Sequence, residues 1–130
     1  GMNCHDAVFH ALTGKTGATA TGLISELAAF GLWYTPVITG SPAEVEQSIS
    51  LSDLDLLLFN GDAHSGVVYE DCLIWQANGT TDTSLPSGVS RGVFVAVPLK
   101  FMASIRYPDG TPIYRSVTVY RLQPDRSSDE

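Results

Sequence analysis

The chain has 130 residues, of which 44% are hydrophobic and 16% are charged, and its formal net charge is −7. This length and balance are typical of a globular domain with a buried core and exclude a disordered segment. Seven Lys and Arg residues against fourteen Asp and Glu residues provide no basic surface, so neither nucleic acid nor an anionic membrane is an expected partner. We predict a single domain over residues 2–123 and a polar tail over 124–130.

Targeting signals and cysteine usage indicate what class of protein this is and where it is expected to be located. A membrane-spanning helix needs about 18 or more apolar residues in a row, and the sequence has no such run. A signal peptide is not predicted either, so the expected location is the cytoplasm or one reached by a non-classical export route. Two cysteines, Cys4 and Cys72, are too few for a disulfide scaffold. The sequence neither requires nor excludes a single disulfide bond between them. Their spacing does not indicate a zinc site, and no metal or cofactor is expected.

Three helices are predicted in the first part of the chain. Apolar residues recur at helical spacing over Asn3–Leu12 and again over Thr21–Phe30. The third helix begins after Ser41, whose hydroxyl can cap it. Pro42 then takes the first helical position and Glu44 completes a capping box.

Strands dominate the rest of the chain. Leu54–Phe59 is a buried apolar strand, and a second strand begins at His64 and alternates up to a tight turn at Glu70-Asp71. A third strand runs over Leu73–Gln76. Helices followed by an antiparallel sheet predict an α+β fold.

After these strands the pattern predicts a loop, one more strand and a hairpin. Residues Asn78–Arg91 are rich in Gly, Thr, Ser and Pro, which is typical of a long surface loop. Gly92–Pro98 is a predicted strand. Phe101–Tyr107 and Ile113–Leu122 are predicted to form a hairpin around Pro108–Gly110.

Cys4 is the first candidate for chemistry because it lies at the start of a predicted helix. The positive end of the helix dipole lowers the pKa of a thiol there and favours the thiolate. The backbone N–H groups of the first turn can also bind an oxyanion. The competing interpretation is a small buried hydrophobic residue, which is the commoner fate of a single cysteine.

His64 is the candidate general base, since it begins a strand directly after a turn. The competing interpretation is a solvated turn histidine. His5 and His10 are weaker candidates on the first helix. Because His5 projects about 100° around the helix from its neighbour Cys4, it is expected to be exposed.

Gln76 is the candidate third residue. It follows His64 by twelve residues, and a hairpin turning near Glu70-Asp71 would make the two strand ends neighbours. A side-chain amide there can accept the imidazole N–H and select its tautomer. Asn78 is a second candidate for this role, and an ordinary exposed polar residue is the alternative.

These features together resemble a known family. An Asn-Cys pair on an N-terminal helix, an apolar strand DLLLF, the strand HSGVVY and a polar residue twelve positions after the histidine are similar to NlpC-type papain-like cysteine peptidases and amidases. The resemblance covers Cys4 to Gln76. It implies a papain-like fold in which helices pack on a small antiparallel sheet. It departs at the nucleophile, where the usual Asp-Cys-Ser-Gly is replaced by Asn3-Cys4-His5-Asp6.

The resemblance implies hydrolysis of an amide bond by a Cys4-His64-Gln76 triad through a thioester, with a peptide or a peptidoglycan stem peptide of the cell wall as substrate. The substrate cleft would be built from Thr35–Ser41 and Asn78–Arg91. Two other functions stay open. One is a non-catalytic module whose acidic surface binds a basic protein partner. The other is deamidation or transamidation of a protein glutamine by the same triad.

Overall fold

The computed structural model describes residues 4–15, 22–76 and 94–124, with the side chains of residues 74–76, 94 and 95 outside that description. This part of the chain has an α+β fold, in which four helices pack on one antiparallel sheet. None of these helices is long and apolar enough to cross a membrane. In chain order the elements are α1 Cys4–Thr13, α2 Leu23–Ala29, β1 Tyr34–Gly40, α3 Pro42–Ser48, β2 Leu56–Phe59, β3 His64–Tyr69, β4 Cys72–Gln76, β5 Phe94–Val97, α4 Leu99–Ser104 and β6 Val117–Leu122.

The sheet has six strands in the order β1-β6-β2-β3-β4-β5, and every neighbouring pair is antiparallel. The central strands β2, β3 and β4 follow one another in sequence. The turn between β3 and β4 consists of Glu70 and Asp71, whose φ values are 51° and 65°. Positive φ at both positions is the type I′ geometry that suits a two-residue hairpin. The hairpin predicted from His64 to Gln76 is therefore confirmed.

Each face of the sheet has its own apolar core, because side chains alternate between the faces along a strand. β2 is buried at every position since both of its faces are covered. The α1–α2 core contains Val8, Phe9, Leu23, Leu27, Tyr34, Leu56, Leu58 and Val67. The α3–α4 core contains Val45, Leu57, Phe59, Val68, Leu73, Leu99, Met102, Ile105, Ile113, Tyr114, Val117 and Val119.

The helix predicted after Ser41 is confirmed with its cap. The Ser41 hydroxyl accepts the Glu44 N–H at 3.2 Å, and the Glu44 carboxylate accepts the Ser41 N–H at 3.4 Å. The helices predicted over Asn3–Leu12 and Thr21–Phe30 are confirmed in their described parts, as α1 and α2.

The hairpin predicted from Phe101 to Leu122 is present only around its turn. The chain reverses at Pro108–Gly110, where the Tyr107 N–H donates to the Thr111 carbonyl at 2.8 Å and Arg106 forms an antiparallel bridge with Pro112.

The two long paired strands predicted on either side of this turn are wrong. Residues Leu99–Ser104 form α4, and Leu99 and Met102, three positions apart, both face the α3–α4 core. The second predicted strand begins at Val117 and pairs with β1 and β2 instead. Tertiary packing overrides the local strand pattern here, because the helix buries Leu99 and Met102 in this core.

Thr35–Ser41, predicted as a loop at the substrate cleft, is also different: β1 runs through this segment to Gly40. β1 is an edge strand, and an edge strand tolerates Pro36, which has no N–H to donate to a neighbouring strand. The pairing register shifts between Pro36 and Ile38 to accommodate it. The predicted loop Asn78–Arg91 and all of the polar tail beyond residue 124 lie outside the described residues.

A partly buried ion pair joins Asp55, the residue before β2, to Arg121 on β6. Asp55 is 1% exposed, and its carboxylate accepts the Ser52 N–H at 2.8 Å and two bonds from Arg121 at 2.9 and 3.0 Å. The Arg121 side chain is 38% exposed, so solvent screens part of the attraction.

Replacing Arg121 with methionine is expected to lower the free energy of unfolding by about 1–3 kcal/mol, because it leaves the Asp55 charge buried without its partner. Urea unfolding followed by circular dichroism measures the change. Arg115→Met is the matched control, since Arg115 is exposed. Equal unfolding free energies for the two variants would contradict the expectation.

Candidate functional site

The candidate site lies where the start of α1 meets the turn between β2 and β3. Cys4 is the first residue of α1 and is 4% exposed. Its Sγ atom lies 4.0 Å from the backbone oxygen of Ala63 in that turn. Neither apolar core includes Cys4. The buried thiol thus has a polar neighbour in the turn.

Asn60 holds this turn in place from its other side. Its side-chain amide donates to the Ile113 carbonyl at 3.0 Å, and its side-chain oxygen accepts the Arg115 N–H at 2.8 Å. Asn60 and Gly61 have φ values of 52° and 76°, a left-handed conformation that these two residue types tolerate best. The turn is thus anchored to the chain before β6, and the helix start packs against a rigid support.

His64 begins β3 and is 1% exposed. Its ring packs against the rings of Phe59 and Tyr114, with centroid distances of 6.0 and 5.4 Å. The imidazole also acts on the Cys4 thiol, both as a hydrogen-bond partner and as a nearby positive charge. The structure therefore brings together Cys4 and His64, which are sixty residues apart in sequence.

His5 also belongs to this group, and the expectation that it is exposed is wrong. Its Nδ1 atom lies 2.7 Å from Ser65 Oγ and 4.0 Å from Cys4 Sγ. Its Nε2 atom hydrogen-bonds the backbone oxygen of Asp62. Successive residues of a helix project in different directions, but the β2–β3 turn and the start of β3 surround the first turn of α1. The side chains of Cys4 and His5 therefore both contact the β2–β3 turn.

The electrostatics of the site favour a thiolate. Burial by itself raises the pKa of the Cys4 thiol, yet hydrogen bonds to His5 and His64 and their positive charges outweigh it and lower the pKa to about 5. The hydrogen bond with Cys4 raises the pKa of His5, against the opposing effect of burial. Near neutral pH the favoured state of Cys4 and His5 is thus a thiolate beside a charged imidazole.

Gln76, the predicted third residue, is the last residue of β4. β3 and β4 pair antiparallel, with Val67 opposite Ile74 and Tyr69 opposite Cys72. Continued by two residues, this register sets the Gln76 backbone opposite Ser65, whose side chain lies on the other face of the sheet from that of His64. The Gln76 side chain and all of Asn78 lie outside the described residues.

Both cysteines are free thiols, and Cys72 is half-buried at the start of β4. Among the described residues no three His, Cys, Asp or Glu side chains form a group that could hold a metal ion.

His5 is the residue that sequence reasoning missed. The available signal was its position beside Cys4 in the first helical turn, where a residue can touch whatever packs against the helix start. An isolated helix could not show that a turn lies there. Comparison of the chain with protein-family models, with curated proteins and with solved structures finds no match.

Proposed function

We propose that the protein is a cysteine hydrolase, an amidase or peptidase that cleaves an amide bond, and that its fold is papain-like of the NlpC type. The observation that carries the proposal is the position of the Cys4 thiol, at a helix start and 4.0 Å from the His5 ring, where His5 and His64 lower its pKa to about 5. A buried thiol without such partners would have a raised pKa and would be inert.

The arrangement of elements supports the proposed fold. The nucleophile candidate begins the N-terminal helix, and the base candidate begins a strand in the middle of an antiparallel sheet. The chain order, cysteine before histidine, is that of the NlpC-type enzymes that the sequence resembles.

The first half of the proposed reaction forms a thioester. The Cys4 thiolate, whose proton His64 holds, attacks the carbonyl carbon of the amide. The developing oxyanion is stabilised by backbone N–H groups at the start of α1, where the helix dipole is positive. As the tetrahedral intermediate collapses, His64 gives its proton to the leaving amine.

The second half releases the acyl group. His64, now neutral, takes a proton from water, and the resulting hydroxide attacks the thioester carbonyl. The thiolate leaves, a carboxylic acid is released, and the enzyme returns to its starting state. The family resemblance alone assigns to Gln76 the role of accepting the free N–H of His64 and orienting its ring.

The burial of the pair sets a condition on this mechanism. Cys4 is 4% exposed and His64 is 1% exposed. A substrate carbonyl can therefore reach the sulfur only if neighbouring groups move aside when it binds. We propose an extended stem peptide of peptidoglycan as the substrate class, on the strength of the family resemblance.

Alkylation tests the proposal directly. With Cys72→Ser protein, iodoacetamide is expected to modify Cys4 with a pH midpoint near 5, and the loss of amide hydrolysis is expected to parallel the extent of modification. An ordinary thiol has a pKa of about 8.5 and reacts slowly at pH 6. Mass spectrometry measures modification, and release of amino groups from purified peptidoglycan or soluble stem peptides measures hydrolysis.

Two results would contradict it. One is an alkylation midpoint in the range of an ordinary thiol. The other is full modification of Cys4 with hydrolysis unchanged. Protein with Cys72 intact is the control, and its hydrolysis should equal that of the Cys72→Ser protein.

The same burial favours a second candidate, a non-catalytic module that binds a basic protein partner. Exposed acidic side chains suit such a partner; those of the described residues include Glu44, Glu46, Asp53, Asp62, Glu70 and Asp71. This candidate predicts a folded Cys4→Ala protein that retains binding, together with wild-type protein that hydrolyses none of the amides offered.

A further inference from the structure

We infer that His5 is a second imidazole of the reacting group, which holds Cys4 as a thiolate while His64 carries the proton that moves during the reaction. The inference deepens the proposed function and rests on it for the catalytic part. Its physical part, that His5 stabilises the thiolate, can be tested without any substrate.

The contacts of His5 define what its ring can do. Nε2 faces a backbone carbonyl oxygen of Asp62, which can only accept, so Nε2 carries a hydrogen. Nδ1 faces both Ser65 Oγ at 2.7 Å and Cys4 Sγ at 4.0 Å. In the neutral ring Nδ1 accepts from the Ser65 hydroxyl. In the charged ring it donates toward the oxygen and the sulfur.

The positions of the two imidazoles suggest different roles. His64 is packed between aromatic rings and is 1% exposed. His5 is half-buried, and its Nε2 is fixed by the turn. A charge on His5 is therefore partly solvated, and its desolvation penalty is small throughout the catalytic cycle. The buried His64 is better suited to transfer a proton between the sulfur, the leaving amine and water.

The charged and titratable groups that act on His5 all favour its protonated form. Cys4 on its own helix raises its pKa through a hydrogen bond and through charge, and Asp62 in the turn raises it further. His64 on β3 acts on the same sulfur. His5 therefore stays charged to a higher pH than a free imidazole, and the thiolate persists while His64 exchanges its proton.

The test measures the pH midpoint of iodoacetamide alkylation in three proteins that all carry Cys72→Ser: the otherwise unchanged chain, His5→Gln and His10→Gln. Glutamine can still donate to the Asp62 carbonyl but cannot become charged, so it separates anchoring from charge. His10 is exposed on the same helix and is the matched control. We expect His5→Gln to raise the midpoint by one pH unit or more, which is about a tenfold loss of alkylation rate below both midpoints. His10→Gln should leave it unchanged.

A second measurement needs no substitution at His5. Methyl methanethiolsulfonate converts the Cys4 thiol to a neutral mixed disulfide, and NMR of the His5 ring reports its titration before and after. The His5 pKa should fall when the thiolate is removed. Thermal melts of every protein confirm that it is folded.

The outcomes separate this inference from the proposed function. If His5→Gln has the midpoint of His10→Gln, or if the His5 titration does not respond to loss of the thiolate, the role of His5 is overturned. If both respond as expected but the wild-type protein hydrolyses no stem peptide, the role in holding the thiolate stands and the proposed function fails.

Discussion

Serine in place of Cys4 is expected to remove amide hydrolysis and to leave the fold intact. A hydroxyl has a far higher pKa than a thiol, so the two imidazoles that lower the thiol pKa to about 5 cannot ionise it. Loss of the nucleophile in a hydrolase of this kind costs a factor of about a thousand or more in kcat/KM. The substitution changes side-chain volume little, and Cys4 belongs to neither apolar core, so packing should be preserved.

The measurement is kcat/KM for amine release from stem peptides, with unfolding by urea as the check on structure. Cys72→Ser is the matched control, since it makes the same exchange on β4 at a half-buried position and should retain full activity. If the Cys4 variant keeps a tenth or more of the wild-type rate, the thiol is not the nucleophile and the proposed mechanism is wrong.

Alanine in place of Phe59 is expected to lower the free energy of unfolding by about 3–5 kcal/mol, the range for deleting a large buried aromatic side chain. Phe59 is fully buried at the end of β2. Its ring lies 5.0 Å from that of Tyr114 and 6.0 Å from that of His64, between centroids. Removing it leaves a cavity between the α3–α4 core and the candidate base.

Urea unfolding gives the free energy from the midpoint and the slope. Phe30→Ala is the control: Phe30 is 51% exposed and touches Phe9 edge-on, so its removal should cost less than about 1 kcal/mol. If Phe59→Ala lowers the free energy of unfolding no more than the control does, the packing of Phe59 against Tyr114 and His64 does not stabilise the candidate site.

The parts of the fold that the sequence predicted correctly are those whose cause is local. Ser41, Pro42 and Glu44 lie within one helical turn, and their side chains cap the very helix that they begin. The β3–β4 hairpin needs just two turn residues between strands that are already rich in strand formers. Cys4 and His64 could be nominated for the same reason, since a helix start and a strand start are both local features.

What the sequence by itself determined is therefore the class of fold and most of the elements, and it nominated Cys4 and His64 for the candidate site. The tertiary structure alone decided that β6 pairs between β1 and β2. It also decided that Leu99–Ser104 forms a helix packed on the sheet and that His5 contacts Ser65 at the start of β3. Each of these depends on a partner that is distant in sequence: a strand edge, an apolar face or a turn carbonyl. Spacing along the chain records what a segment can form, whereas contacts between distant segments decide which of its possible faces is buried.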